Sequence, residues 1–434
     1  MPGLVIRTPN ACGSIVLVAL AHALTACAPQ AASAPAPPPA VTLSIPSATP
    51  AASPGAGPDA AATIELDESC RATIDKLAQS RPARVELTPQ CIPGLALLPD
   101  LGFITRFRVF ELGPSDTPAD LSPLARASAL TTLEAYTARS PSLESLKALP
   151  LLHEVRLSCM AGSLDAVRGL PHVNTVVMER AVVSGSGHLD VSALSTLPSL
   201  TVFTTTREVD LADIAAGAPN LEALHARNAT ATDALGRLQK LEGLTIGCFE
   251  TSPGFTAPAS LRWLRVDCPD LPPSIWRAFP RVESLDVSET ELTTLRGVEK
   301  MTSLKAIDAH STKIKSLLPL ASVRTLESID LHGSEVTDLS PLARLPRLKS
   351  IEAAPAPVRS IAALAASQSL QSLWLAGAPV SDVRPLAAIQ SLKEVMLPRG
   401  CDRADAIALH RARPDLKLMA WTNGSAARDP SCYP

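Results

Sequence analysis

Two Asp-x-His pairs, Asp308 with His310 and Asp330 with His332, stand 22 residues apart in a chain of 434. Carboxylates and imidazoles in such a set are transition-metal ligands, and an ion held with one open position is the least that a metal-dependent hydrolase would need. A plainer chemistry is also available: imidazoles relieve the repulsion among neighbouring carboxylates without any ion. The plainer reading is preferred, because a sequence shows no outer groups that would orient the rings. No catalytic residue, metal or cofactor is therefore expected, and a metal-binding surface built on this Asp/His patch stays open as the alternative.

A repeat brings these residues together. Val282, Leu304, Leu326, Leu348, Leu370 and Leu392 each open a unit of 22 residues, with further apolar residues three and five positions on, such as Leu285 and Val287 or Ile329 and Leu331. That alternation is a short strand with one buried face. A strand this short cannot bury its face alone, so the units must stack and share one core along a solenoid. Further openings are read upstream at Ile104, Leu133, Leu152, Val173, Leu200, Leu221, Leu241 and Leu261. Ile64 to Ala78 is read as a capping helix, Val85 to Leu87 as the first strand, Arg403 to Arg413 as a closing helix and Leu416 to Leu418 as the last strand.

In this frame the third, fifth and seventh residues of each strand point out of the sheet. The fifth position runs Asp286, Asp308, Asp330, Glu352, Trp374, Met396, after a mixed stretch holding Arg108, Arg156, His225 and Arg265. A column of four carboxylates repels itself unless something cationic approaches. Small third-position residues (Ser284, Ala306, Ser328, Ser350) leave it accessible, and the second position (Glu283, Lys305, Glu327, Lys349) alternates in sign and can pair internally. Asp286, Asp308, His310, Asp330, His332, Glu352 and Trp374 are thus expected to form the surface for a protein ligand carrying a basic patch, with Trp374 as its apolar anchor. The competing reading is a solvated acidic face on a passive cell-envelope spacer.

The units are leucine-rich repeats and resemble the internalin-like, 22-residue class of bacterial repeat proteins over about Pro82 to Leu397. Asp120 to Leu124 and Asp338 to Leu342, both Asp-Leu-Ser-Pro-Leu, carry the resemblance most closely. It implies an α/β solenoid, a horseshoe or arc with a parallel concave β-sheet and short 3₁₀ or helical segments on the convex side. The chain departs from the class at the ninth position, where the usual asparagine is replaced by Thr290, Thr312, Ser334, Ala356 and Ala378. Hydroxyls could supply part of the asparagine's bonding to the turn and alanines cannot. Ligand choice lives in the variable surface residues, so no ligand of that class transfers.

The N-terminus reads as an export signal: Arg7, then an apolar run from Ile15 to Ala26 that is too short to span a bilayer. Leu24-Thr25-Ala26-Cys27 resembles a bacterial lipobox, which implies cleavage before Cys27 and lipidation of that residue. Ala28, where retained lipoproteins have aspartate, implies the outer membrane of a Gram-negative cell. An Ala/Pro/Ser-rich stretch that includes Pro37 to Pro39 then reads as a tether. The expected organisation is a signal peptide (1–26), the tether (27–63), an N-terminal cap (64–103), repeats (104–400) and a C-terminal cap (401–434), with membrane contact through the lipid alone.

An exported chain is free to pair its cysteines. Cys70 with Cys91 would staple the N-terminal cap and Cys401 with Cys432 the C-terminal one. Cys248 and Cys268 are each the eighth residue of adjacent coils and would join neighbouring strands, which leaves Cys159 over. Two coils carry extra residues, around Glu111 to Leu121 and at Ser184 to His188, and neither holds a catalytic motif. A formal charge of −3 gives no basic footprint, and aromatics at 3% offer little for stacking, so nucleic acid is not an expected partner.

Overall fold

The computed structural model describes residues 41–43, 64–111, 118–137, 139–158, 164–179, 188–250, 252–269, 271–398, 401–422 and 425–427. The leader, Cys27, Cys159, Cys432 and the centres of both insertions lie outside the described residues. Among the described residues sixteen strands run parallel from Arg84–Leu87 to Lys417–Thr422, each after the first paired with the strand of the preceding coil. Register follows the repeat, with Leu285, Ile307, Ile329, Ile351, Leu373 and Val395 meeting in one buried row. Each such side chain contributes roughly 1.5–3 kcal/mol once covered, and only the next coil can cover it.

The chain returns along the other side in single 3₁₀ turns such as Ser122–Arg126, Ser340–Leu342 and Arg384–Ala388. An aspartate two residues before the turn's first free amide starts each one: Asp338 accepts from the Ser340 N–H at 2.8 Å and from its hydroxyl at 2.7 Å. Asp120 and Asp382 accept in the same way from Ser122 and Arg384. A strand-lined side and a longer path behind it give the stack its curvature. Among the described residues no helix is long and apolar enough to cross a membrane.

Both ends are closed by helices. Helix α1 (Glu68–Ser80) begins later than the sequence suggests, because Asp67 caps it by accepting from the Cys70 N–H at 2.6 Å and Ile64–Leu66 is a strand paired with Val41–Leu43. The Cys70–Cys91 disulfide ties α1 to the turn that follows the first strand. A second helix, α2 (Leu211–Gly217), lies within the repeats, and α3 (Arg403–Ala412) follows the last coil. The residue after α3, Arg413, is buried and donates to the carbonyls of Ile389 at 2.7 Å and Leu392 at 2.9 Å, locking the closing helix to the coil beneath it. Cys401 is buried too.

One strand opening is corrected. Phe107, Leu133 and Val155 pair in a single row, so Leu133 is the fourth residue of its coil and Leu130 opens it. The spacing from Ile104 is then 26 residues and the next 22. The Cys248–Cys268 pairing across adjacent coils is present, with Cα atoms 4.7 Å apart. At the ninth position the threonine hydroxyls do turn back, Thr290 to the Val287 carbonyl at 2.7 Å and Thr312 to the Ala309 carbonyl at 2.8 Å. Ser334 does not: its hydroxyl is buried without a hydrogen-bond partner, and its backbone N–H closes the turn on Leu331, as those of Ala356 and Ala378 do on theirs.

Candidate functional site

The fifth position makes one continuous column across the concave sheet, and its chemistry changes along the arc. At the N-terminal end it alternates Glu86, Arg108, Glu134 and Arg156, and Arg108 bonds Glu134 at 2.8 Å. The alternation is self-neutralising. Val177, Thr204, His225 and Thr245 follow as an uncharged middle, where burial pushes His225 below its ordinary value and its Nδ1 lies 2.7 Å from the Thr245 hydroxyl. Arg265, Asp286, Asp308, Asp330, Glu352 and Trp374 complete the column in register.

The ridge is shorter than the sequence implies. Asp286 is held by Arg265 at 2.8 Å, so it is a satisfied ion pair and no part of an unpaired column. Asp308 is held by His310, whose Nδ1 lies 2.7 Å from the Asp308 carboxylate. Burial pushes Asp308 up, but the side-chain and backbone hydrogen bonds from His310 outweigh it and leave the acid below its ordinary value. The same hydrogen bond, against burial, raises His310 to about 9. Among the described residues Asp330 and Glu352 have no salt bridge. Burial raises both, with Asp308 adding to each and Asp330 to Glu352. Met396 is fully buried, so Trp374, half-buried with its indole N–H on the Ser372 hydroxyl at 3.0 Å, is the exposed end of the ridge. Second-position charges pair internally as expected, Lys305 with Glu283 at 2.7 Å and Lys349 with Glu327 at 2.6 Å.

Of the two Asp-x-His pairs, three members converge: donor atoms of Asp308, His310 and Asp330 all lie within 4.8 Å of one another. His332 is exposed and stands apart from that group, although its backbone N–H donates to Asp330 at 2.8 Å. A residue that sequence reasoning missed completes the surroundings. Glu289 faces the far side of the same imidazole, its carboxylate 3.4 Å from His310 Nε2. It occupies the eighth position in a left-handed conformation, φ 59°, where Gly333 and Gly377 stand in later coils. A repeat alignment shows that position only as a turn, and carries no signal that its glutamate meets an imidazole.

The corrected opening at Leu130 also moves Tyr136 from the core to the seventh position. There it meets exposed Phe110 of the preceding coil, ring centroids 6.5 Å apart, with the Arg108 guanidinium 5.3 Å from the Tyr136 ring. Among the described residues the ridge lies on the outward side of the parallel sheet. Two solvent-open hollows of about 370 and 730 Å³ lie elsewhere, beside Lys349 and Gln371 and over Ala343 and Ala365 on the convex side.

The sheet, the 3₁₀ return path and the register decide the architecture. The fold is a leucine-rich repeat arc. No family model and no curated protein matches the chain. Among solved structures it is similar to a leucine-rich repeat protein of Leptospira interrogans, with 12% identity over 77% of this chain and 89% of that one at a TM-score of 0.50. It is also similar to TLR13 in its complex with ssRNA13, with 15% identity over 80% of this chain at a TM-score of 0.51; this chain spans 58% of that one. An internalin (inlF) from Listeria monocytogenes matches at 15% identity over 82% of this chain and 94% of its own, at a TM-score of 0.40, too low to bear on the fold. Identities this low speak for the leucine-rich repeat fold alone.

Proposed function

We propose that the chain is an exported, lipid-anchored leucine-rich repeat protein that binds another protein through the C-terminal half of its concave face. The observation that carries this is the Asp330–Glu352–Trp374 row, two carboxylates without a salt bridge among the described residues and an aromatic in register beside them. Unpaired, half-buried carboxylates are an electrostatic liability that a cationic partner relieves, and a neighbouring indole supplies the apolar contact typical of an energetic centre. An open sheet face favours a macromolecular ligand over a reaction from which water must be excluded. The same carboxylates oppose a polyanion, so the RNA of the TLR13 complex is not taken over.

Export is supported by two disulfides in the repeat region and its cap, which persist in oxidising compartments. The Leu24 to Cys27 motif supports acylation at Cys27, and Ala28 an outer-membrane destination. The test is affinity capture from envelope extract with wild type and with Glu352→Gln. A partner retained by wild type and lost from the variant supports the reading, and equal capture by both shows a passive face. Cys27→Ala is expected to release the protein from the membrane fraction; unchanged partitioning would refute the anchor.

A further inference from the structure

We infer that Asp308, His310 and Asp330 form a binding site for a divalent transition-metal ion of the zinc class. The site goes beyond the partner surface, since Glu352 and Trp374 remain free beside it.

Three observations carry it. Donor atoms of the three side chains lie within 4.8 Å of one another on adjacent strands. Two ligands at a zinc's usual ~2.0–2.1 Å and a tetrahedral angle stand about 3.4 Å apart, so the cluster needs only small side-chain rotations. Two carboxylate oxygens and one imidazole nitrogen also select the ion, because imidazole suits zinc, copper or nickel and is foreign to calcium and magnesium sites. Third, the ring is already oriented as a ligating histidine is. Nδ1 faces Asp308 at 2.7 Å while Nε2 faces the Glu289 carboxylate at 3.4 Å. A metal-bound histidine almost always gives its other N–H to such an outer carboxylate, which fixes the tautomer and strengthens the ligand.

The position in the column fits as well. Every earlier carboxylate of the fifth position has a protein cation beside it, Glu86 and Glu134 at Arg108 and Asp286 at Arg265. Asp330 has no salt bridge among the described residues; its nearest cationic group is the His310 ring of the same cluster. An ion between Asp308 and Asp330 would neutralise that stretch and leave at least one coordination position open.

The experiment is calorimetric titration of ZnCl2 into the full chain after chelator treatment and dialysis, with calcium chloride as the hard-cation control. Expected is one saturable zinc site that excess calcium does not displace. His310→Gln and Asp330→Asn should each weaken it at least tenfold, and Glu289→Gln by about tenfold with stoichiometry kept, the loss typical for an outer carboxylate. Circular dichroism melts establish that each variant is folded. Absence of a saturable site in wild type, or wild-type affinity in folded His310→Gln, overturns the inference. Glu352→Gln removes no ligand and should keep the saturable zinc site with its stoichiometry, so a failed metal site and a failed partner surface are read from different variants.

Discussion

Arg265 donates from Nη1 to the Asp286 carboxylate at 2.8 Å across adjacent strands, while its Nε meets Asp267, just past the end of its own strand, at 2.8 Å. This one guanidinium separates the neutral middle of the concave face from its acidic end. Arg265 and Asp286 are both mostly shielded from solvent, so the pair is more than an exposed surface bridge. Arg265→Met should lower stability by roughly 2 kcal/mol, because truncating one partner leaves a shielded carboxylate without its cation. Adding Asp286→Asn should restore part of the loss. Additive losses in chemical denaturation would show that the two side chains do not interact.

Neighbouring acids in the ridge should respond oppositely to neutralisation. Asp308 lies below its ordinary value and is held by His310, so Asp308→Asn should destabilise the ion-free protein, by roughly 1 kcal/mol for a partly exposed charged hydrogen bond. Asp330 and Glu352 are raised by burial and by the acids that precede each of them in the column, so Asp330→Asn or Glu352→Gln should stabilise it by a few tenths to about 1 kcal/mol. Melting temperatures in chelator decide this. The same sign for Asp308→Asn and Asp330→Asn would contradict the assignment of the proton and hydrogen bonds around His310.

How far the sequence reaches is clear from these residues. The coils from Val282 to Leu397 are legible because one pattern fixes strand, register and face, and the parallel sheet follows. Leu130 and Leu133 are both leucines three apart, and with four residues beyond the 22-residue unit either could open the coil; packing against Phe107 and Val155 chooses Leu130. That single slip hid the Phe110–Tyr136 pair. Arg265 and Asp286 stood in the same column of the sequence, but whether a guanidinium bonds its neighbour depends on rotamer and burial. Glu289 was out of reach for another reason: position eight reads Glu, Ser, Gly, Pro, Gly from coil to coil, and nothing in that series shows a carboxylate turning back toward an imidazole.

The imidazole gives the ion-free protein a pH dependence with a definite sign. His310 rises from an ordinary value of 6.5 to about 9 in the folded state, chiefly through its hydrogen bond with Asp308. A folded-state value above the unfolded one means that the folded protein holds the proton more tightly. The stabilisation is therefore complete below pH 6.5 and is lost as pH rises through about 9. In chelator, the stability difference between wild type and His310→Gln should shrink steadily across that window. Parallel profiles would show that His310 has no special hold on its proton.

The last prediction separates charge from apolar contact at the exposed end of the ridge. Glu352 and Trp374 are register partners on adjacent strands, so a ligand that covers one covers the other. Glu352 acts through a field that mobile ions screen within about 8–10 Å at ordinary ionic strength. Trp374 acts through buried area, which salt does not screen, and its indole N–H is already committed to Ser372. For the partner captured from the envelope, Glu352→Gln should weaken binding at low salt and flatten the dependence of affinity on salt. Trp374→Ala should weaken binding by 2 kcal/mol or more, on the order of a thirtyfold rise in Kd, with the salt dependence kept. Titrations of both variants at low and high sodium chloride make the comparison. If Trp374→Ala flattens the salt dependence and Glu352→Gln leaves it steep, the partner does not sit on this row, and the Phe110–Tyr136 pair at the other end of the face becomes the next place to look.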